Sequence, residues 1–209
     1  CLSFARSSVL LPCADNKPMA EETSQEIDKT AVIAKAGAPL FEGMGSHHHK
    51  ISTSDPAAQL YFDQGLVLAF GFNHAESIRS FRAAQKLDPN CAMCFWGEAL
   101  ATGPNINVTS NGKAVMSPSD RNSAFAALQR AIGLKDQVTQ TEKDYIDALS
   151  ARYNGIVESD RTLLDIAYAN KMRELSQKYP DDTDAAALFA EALMNTMPWD
   201  YWLDVQNPK

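Results

Sequence analysis

The sequence lacks the features that identify several common classes of protein. No stretch approaches the roughly 18 consecutive apolar residues that a membrane-spanning helix needs. There is no run of Lys and Arg with interleaved aromatic residues, and the formal charge of -7 disfavours nucleic acid as a partner. A glycine-rich phosphate loop and a G-x-S-x-G motif are also missing. The sequence therefore gives no support for catalysis, and we expect neither an enzyme nor an organic cofactor.

Cysteine is scarce, and the four residues form two local pairs, Cys1 with Cys13 and Cys91 with Cys94. In an oxidising compartment four cysteines allow three pairings, of which this one is the most local. The second pair lacks the following His of a haem-attachment motif, since residue 95 is Phe, and lacks the additional Cys pair of a zinc ribbon. We interpret it as a structural disulfide or as buried residues between two helices, with a redox dithiol as the alternative.

Two features bear on the compartment. The chain begins at Cys1, and lipoprotein processing leaves a leading cysteine of this kind. We therefore expect an extracytoplasmic protein, secreted or on the cell surface, that contacts a membrane only through a lipid on Cys1; the alternative is an arbitrary cut. Asn107 opens an N-x-[ST] sequon and is a glycosylation candidate if export follows a glycosylating pathway.

The first 50 residues differ in composition from the rest. Residues 1–50 have little helical periodicity and read as an N-terminal arm and linker with room for one helix, within residues 21–36. Several Gly and Pro residues then lead into the segment Ser46-His-His-His-Lys50. Asp55-Pro56 predicts a helix start, because the carboxylate can cap the helix and proline needs no hydrogen-bond acceptor at the first position.

Small and large apolar residues recur at helical spacing after this point. Tyr61 and Gly65 fall on one predicted helix, Phe81 and Ala84 fall on the next, and Pro89 ends that pair. Small residues let two antiparallel helices approach closely, while the aromatic rings fill the groove between them. The spacing from Gly65 to Pro89 is typical of a tetratricopeptide (TPR) helix–turn–helix unit.

Further helices follow in the same order. A second pair is interrupted by a long insertion at about 102–120, and a third pair begins with a predicted capping box of Thr141 and Asp144. A last apolar helix has no second helix after it in the sequence. The five predicted helices cover 91–101, 121–135, 141–155, 159–182 and 183–197.

The sequence resembles the TPR superfamily in these spacings. The resemblance also rests on the segments "SHHHKIST", "YFDQGLVLAFGFNHAESIRSFRAAQKLDPNCAMCFWGEALATGPNIN" and "PWDYW". The resemblance is closer to a bacterial group of TPR proteins without an established activity, and it covers about residues 38–202. It implies an all-α fold, a right-handed solenoid of about three and a half repeats over residues 51–209 preceded by an extended arm. It also implies binding of a protein or peptide.

The end of the predicted solenoid suggests self-association. An unpaired last helix followed by aromatic residues would expose an apolar surface, and the apolar part of the arm could cover that surface on another copy. We therefore expect a non-enzymatic scaffold that forms a homo-oligomer or filament, assembled head to tail. The candidate interface residues are Ile33, Leu188, Phe189, Leu193, Trp199, Tyr201 and Trp202.

Two alternatives use other residues. A metal ion could join His47 or His49 to His74, with Glu76 as an oxygen donor, although His74 could equally pack in its turn beside a solvated triplet. A second alternative is an adaptor that holds a foreign peptide in the groove of the solenoid. The polar candidates for that groove are Asn73, Arg79 and Arg82.

Overall fold

A computed structural model describes residues 27–209 and shows eight α-helices and one two-stranded sheet among them. The all-α class predicted from the sequence is confirmed. Strands β1 (Thr109–Ser110) and β2 (Lys113–Ala114) are antiparallel. The helices are α1 (Lys29–Ala36), α2 (Pro56–Phe70), α3 (His74–Leu87), α4 (Ala92–Thr102), α5 (Pro118–Leu134), α6 (Gln140–Ser150), α7 (Arg161–Lys178) and α8 (Thr183–Thr196).

The start of α2 follows from its local sequence. The Asp55 carboxylate accepts hydrogen bonds from the backbone N–H groups of Ala57 and Ala58, and Pro56 occupies the first helical position. The N–H groups at a helix start have no partner within the helix, so the carboxylate satisfies two donors that would otherwise be unpaired. The helix start predicted at Asp55-Pro56 is confirmed.

The capping box of α6 lies two residues before its predicted position. The Thr139 hydroxyl accepts from the Glu142 backbone N–H, and the Glu142 carboxylate accepts from the Thr139 backbone N–H, so the prediction of Thr141 and Asp144 is wrong. Both pairs have the required spacing, but the longer Glu side chain reaches back to the capping residue. Asp144 instead accepts hydrogen bonds from Lys178 and Tyr179.

Close helix packing in the first half of the chain depends on Phe81. Its ring lies between Gly65 of α2 and Gly97 of α4, and a Cβ atom added at Gly97 would lie 2.3 Å from the ring. At Gly65 the same distance would be 2.8 Å. Phe81 is completely buried. The three helices can therefore pack at this distance only because two of them present glycine to the ring.

The last helix does not lack a partner. Helix α8 packs extensively against α7, and α7 contacts α8 more extensively than it contacts α6. Its Leu188 is buried, whereas Ala186 and Ala190 are exposed on α8. No helix follows α8 among the described residues, as the sequence predicts, and the preceding helix α7 covers one side of it.

Helix α1 packs against the rest of its own chain. It packs against α3, where the Lys86 ammonium donates to the Ala36 carbonyl at 3.1 Å. Ala36 is buried, and Ile33 is half-buried. The helix predicted within residues 21–36 therefore includes residues 29–36.

The predicted insertion is the loop between α4 and α5, and it contains the β1–β2 hairpin. Trp199, which follows α8, donates its indole N–H to the carbonyl of the buried Ile106 at 2.6 Å. The loop is thus tied to the end of the last helix. In the part of the chain that the structure describes, no helix combines the length and apolar character needed to cross a membrane.

Candidate functional site

Residues 47–53, which we call the strap, lie across three helices that are distant in sequence. On α2, the backbone N–H of His49 donates to Asp63 at 3.1 Å, and the N–H of Ile51 donates to Gln59 at 3.0 Å. The Gln59 amide returns a bond to the His49 carbonyl at 2.9 Å. Two polar side chains of α2 therefore form hydrogen bonds with the backbone of the strap, as a peptide-binding protein does with an extended peptide.

The strap is also bound by α6. The backbone N–H and the hydroxyl of Ser52 both donate to the Glu142 carboxylate at 2.6 Å. Glu142 is buried and accepts from Thr139 as well, so one carboxylate serves both the cap of α6 and the strap. Thr53 donates to Asp88 at the end of α3 at 2.6 Å.

The contact with α8 is made by two histidines and one carboxylate. His49 Nδ1 lies 2.7 Å from Asp184 Oδ2, and His47 Nε2 lies 3.4 Å from Asp184 Oδ1. Asp182 accepts from the Tyr145 hydroxyl at 2.7 Å and caps the start of α8. His49, Asp182 and Asp184 each place one potential ligand atom within 4.8 Å of the others.

The charge of His49 follows from these neighbours. Burial by itself lowers the pKa of the imidazole, but the hydrogen bond and the negative charge of Asp184 raise it, and Asp182 and Asp63 add to this effect. The net result is a raised pKa. The contact between the strap and α8 is therefore a partly buried ion pair when His49 is protonated.

His48 points to a different partner. Its Nδ1 lies 2.8 Å from Asp63, and more than half of its side chain is exposed. The three consecutive histidines thus differ in environment, with the least exposure at His49.

The structure does not bring His74 to this cluster. His74 begins α3, beside a cavity that Arg152 and Glu191 also line, and Glu76 contacts Arg79 instead of a histidine. The predicted set of His47, His49 and His74 is therefore replaced by histidines of the strap and carboxylates of α8. The sequence carries no signal for this, because Asp182 and Asp184 look like ordinary carboxylates at a helix start.

The polar residues expected in a peptide groove are engaged elsewhere. Asn73 caps α3, and the guanidinium group of Arg79 contacts Glu76. Arg82 donates to the Glu98 carboxylate at 2.7 Å. All three belong to α3 or its start, whereas the bonds from the strap go mainly to other helices.

The candidate interface residues fall into two groups. Leu188 is buried, and Ile33, Phe189, Leu193 and Tyr201 are half-buried. Trp199 and Trp202 are exposed, as are two residues that the sequence interpretation missed, Leu203 and Val205. We call these four exposed side chains, Trp199, Trp202, Leu203 and Val205, the C-terminal surface.

Cys91 and Cys94 form a disulfide in the structure. Cys91 caps α4 by accepting from the Cys94 N–H at 3.1 Å, and both side chains are completely buried. A redox dithiol needs access to its substrate, so burial favours a structural role. Cys1 and Cys13 lie outside the described residues, and Asn107 is exposed in the loop before β1.

Compared with protein families, curated proteins and solved structures, the chain shows no significant match.

Proposed function

We propose that the chain is a non-enzymatic TPR-like interaction scaffold that associates with further copies of itself through the C-terminal surface. The observation that supports this is the concentration of four exposed apolar side chains within residues 199–205, from Trp199 at 68% exposure to Val205 at 97%. Exposed apolar patches of this kind mark interaction sites, and tryptophan is enriched among the residues that dominate binding energy.

The arm has a smaller part in this proposal than the sequence interpretation gave it. Ile33 lies on α1, which packs against α3 of the same chain, so head-to-tail exchange of this helix would first require it to detach. Contact between two C-terminal surfaces would instead give a symmetric dimer, whereas contact between α1 and a C-terminal surface would propagate into a filament.

The test is the molar mass of the chain over a range of concentrations, by light scattering after size-exclusion chromatography. Self-association gives a mass at least twice the 22.9 kDa of one chain. The double variant Trp202→Ser/Leu203→Ser should return it to the monomer. Leu163→Ser is the matched control, because Leu163 is equally exposed on α7. A monomer throughout, or equal effects of both variants, would refute the proposal.

Deletion of residues 1–36 separates the two modes of assembly. A symmetric dimer should survive the deletion, and head-to-tail filaments, visible by negative-stain electron microscopy, should disappear. An adaptor for a foreign peptide is less well supported, because the chain's own strap occupies Asp63, Gln59 and Glu142.

A location in an oxidising compartment, outside the cytoplasm, belongs to the same proposal. The disulfide between Cys91 and Cys94 supports it, because such bonds persist mainly in secreted, surface and periplasmic proteins. Thiol titration of the protein isolated from its native compartment tests this. Two free thiols at these positions would contradict it.

A second candidate function is binding of a transition metal by the strap. The supporting observation is the approach of His49, Asp182 and Asp184, with His47 also close to Asp184. Imidazole and carboxylate are suitable ligands for Zn²⁺. Asp182 fits less well than Asp184, because its two oxygens already accept from Tyr145 and from the start of α8.

Titration calorimetry with zinc chloride tests this candidate. One equivalent should bind, His49→Gln should abolish binding, and His48→Gln should leave it intact, because His48 contacts Asp63 instead of Asp184. The absence of binding, or binding that His49→Gln does not change, would remove metal binding from consideration.

A further inference from the structure

A cavity of about 170 Å³ lies between four helices, separate from the strap and the C-terminal surface. Its walls are mainly apolar and come from the end of α2, the start of α3, the end of α4 and the exposed side of α8. Phe70, Phe72, Leu100, Leu188 and Met194 are the larger apolar side chains that line it. The cavity is similar in size to one that holds a single aromatic ring, about 150 Å³.

Three ionisable side chains also line this cavity, namely His74, Arg152 and Glu191. His74 approaches the Ala101 backbone with one ring nitrogen, and its other ring nitrogen is buried without a hydrogen-bond partner among the described residues. Glu191 Oε2 is also buried and unpaired, whereas Arg152 Nε faces the buried Asp165 carboxylate at 3.9 Å. Buried polar atoms nearly always have a partner, so an accumulation of unpaired ones around one cavity points to a ligand.

The remaining atoms of these side chains are already engaged. Arg152 Nη2 donates to the Pro104 carbonyl at 2.8 Å and lies 3.6 Å from Glu191 Oε1. Its guanidinium group also covers the Tyr168 ring, with 4.6 Å to the ring centroid. Arg152 is almost fully buried, so its position is fixed by the fold. The arginine therefore has little capacity left for a ligand carboxylate.

The charges around the cavity restrict the ligand further. Burial and the positive charge of Arg152 lower the pKa of His74, which favours the neutral ring with one donor and one acceptor. Burial raises the pKa of Glu191 against the opposing charge of Arg152. A cationic ligand would meet the fixed charge of Arg152, and an anionic ligand would meet Glu191. A hydroxyl group can both donate and accept, so it suits His74 and either protonation state of Glu191.

We propose that this cavity binds a small neutral molecule, a single aromatic ring or a short branched aliphatic chain that carries one hydroxyl group. The ring lies among the apolar side chains, and the hydroxyl group bonds with His74 and Glu191. This proposal is independent of self-association and of metal binding.

The entrance has an additional feature that agrees with a binding role. Phe72 is partly exposed, lines the cavity and has a backbone φ of 58°, a conformation that is rare for bulky residues. Its ring lies edge to face with His74, with 5.8 Å between centroids. Strained backbone of this kind is concentrated at functional positions. The strain here places an aromatic side chain beside the proposed polar contact.

Titration calorimetry with phenol, and with toluene as the probe of equal shape without the hydroxyl group, tests the proposal. Phenol should bind with one equivalent, and toluene should bind about a hundredfold more weakly, as expected for the loss of two hydrogen bonds at about tenfold each. His74→Phe should reduce the preference for phenol over toluene about tenfold, because it removes both ring nitrogens but keeps a ring of similar size. His48→Phe is the control and should leave the preference unchanged.

Three results would overturn the proposal: no saturable binding of either probe, an unchanged preference in His74→Phe, or tighter binding of benzoate than of phenol. The last would show that the site selects an anion. If His74→Phe does not fold, Glu191→Met removes the other polar contact at a similar side-chain length and should also reduce the preference about tenfold.

Discussion

The strap and the cavity each contain a partly buried histidine, and the two differ in their neighbours. Burial lowers the pKa of both His49 and His74. At His49 the carboxylates of Asp184 and Asp182 reverse this effect, whereas at His74 the guanidinium group of Arg152 adds to it. The same residue type is thus an ion-pair partner in one place and a neutral hydrogen-bonding group in the other.

The two histidines also differ in how far their ring nitrogens are engaged by the rest of the chain. His49 has its charge and its Nδ1 satisfied by Asp184, so its contribution is to hold the strap on α8. His74 has one ring nitrogen without a partner among the described residues. Proximity in sequence to other histidines, which singled out His49, therefore says less about function than the charge of the packing neighbours.

The largest effect should come from removing the cation of the cavity. Arg152→Met removes a fully buried guanidinium group and leaves the half-buried Glu191 carboxylate without its positive partner, which should reduce the free energy of unfolding by about 3–5 kcal/mol. Urea denaturation measures this loss. The pKa of His74, followed by NMR, should rise because a positive neighbour has gone. Arg130→Met is the control on an exposed arginine, and equal losses in both variants would contradict the prediction.

A smaller effect is expected at the strap. Asp184→Asn removes the charged acceptor of His49, and a hydrogen bond to a charged group contributes about 1.5–3 kcal/mol to stability. The pKa of His49 should fall at the same time, which would make it resemble His74. Asp181→Asn, at an exposed position just before the cap of α8, should change neither quantity. A His49 pKa that stays raised in Asp184→Asn would show that Asp184 is not the cause.

The two histidines should give opposite pH dependences. His49 has a raised pKa in the folded state, so its protonation stabilises the fold. This contribution is fully present below the unfolded pKa of about 6.5 and is lost as pH rises through the folded pKa. His49→Gln should therefore cost most below pH 6.5 and least at pH 8. His74 has a lowered pKa, so it destabilises the fold as pH falls below about 6.5. The free energy of unfolding of His74→Phe should therefore rise relative to that of the wild type below this pH. Chemical denaturation from pH 5 to 8 tests both signs.

The smallest effect should come from His48. It contacts Asp63 at 2.8 Å but is more than half exposed, and exposed pairs contribute about 0–1 kcal/mol. His48→Gln should change the free energy of unfolding by less than about 0.5 kcal/mol at any pH between 5 and 8. If His48→Gln reduced the free energy of unfolding as much as His49→Gln, burial would not determine how much each histidine of the strap contributes to stability.

The helices were predictable because their signals are local. The capping pair Asp55-Pro56 and the small residues Gly65 and Ala84 lie within a few turns of the contacts that they make. The capping box of α6 shows the limit of such signals, since two overlapping candidates have the same spacing and only side-chain length selects Glu142.

The sites were not predictable because their partners are distant in sequence. Nothing near Asp184 indicates that it will meet His49, which lies 135 residues earlier. Arg152 and Glu191 look like solvated charges on helix surfaces, and only the packing of α6, α7 and α8 buries Arg152. Periodicity reports which face of a helix is apolar, but it does not report which other helix that face will meet.

The strap also bears on how the chain folds and opens. In an array of helical hairpins each unit contacts mainly its neighbours, so such arrays can form and fray one unit at a time. Here a short segment near the beginning is bonded to α2, α6 and α8 together, and it can dock only after all three have assembled. Such long-range closure slows folding, because the entropy of a long loop must be lost before the contacts form. In return, the first and last hairpins become parts of one cooperative unit, and neither end can fray without releasing the strap.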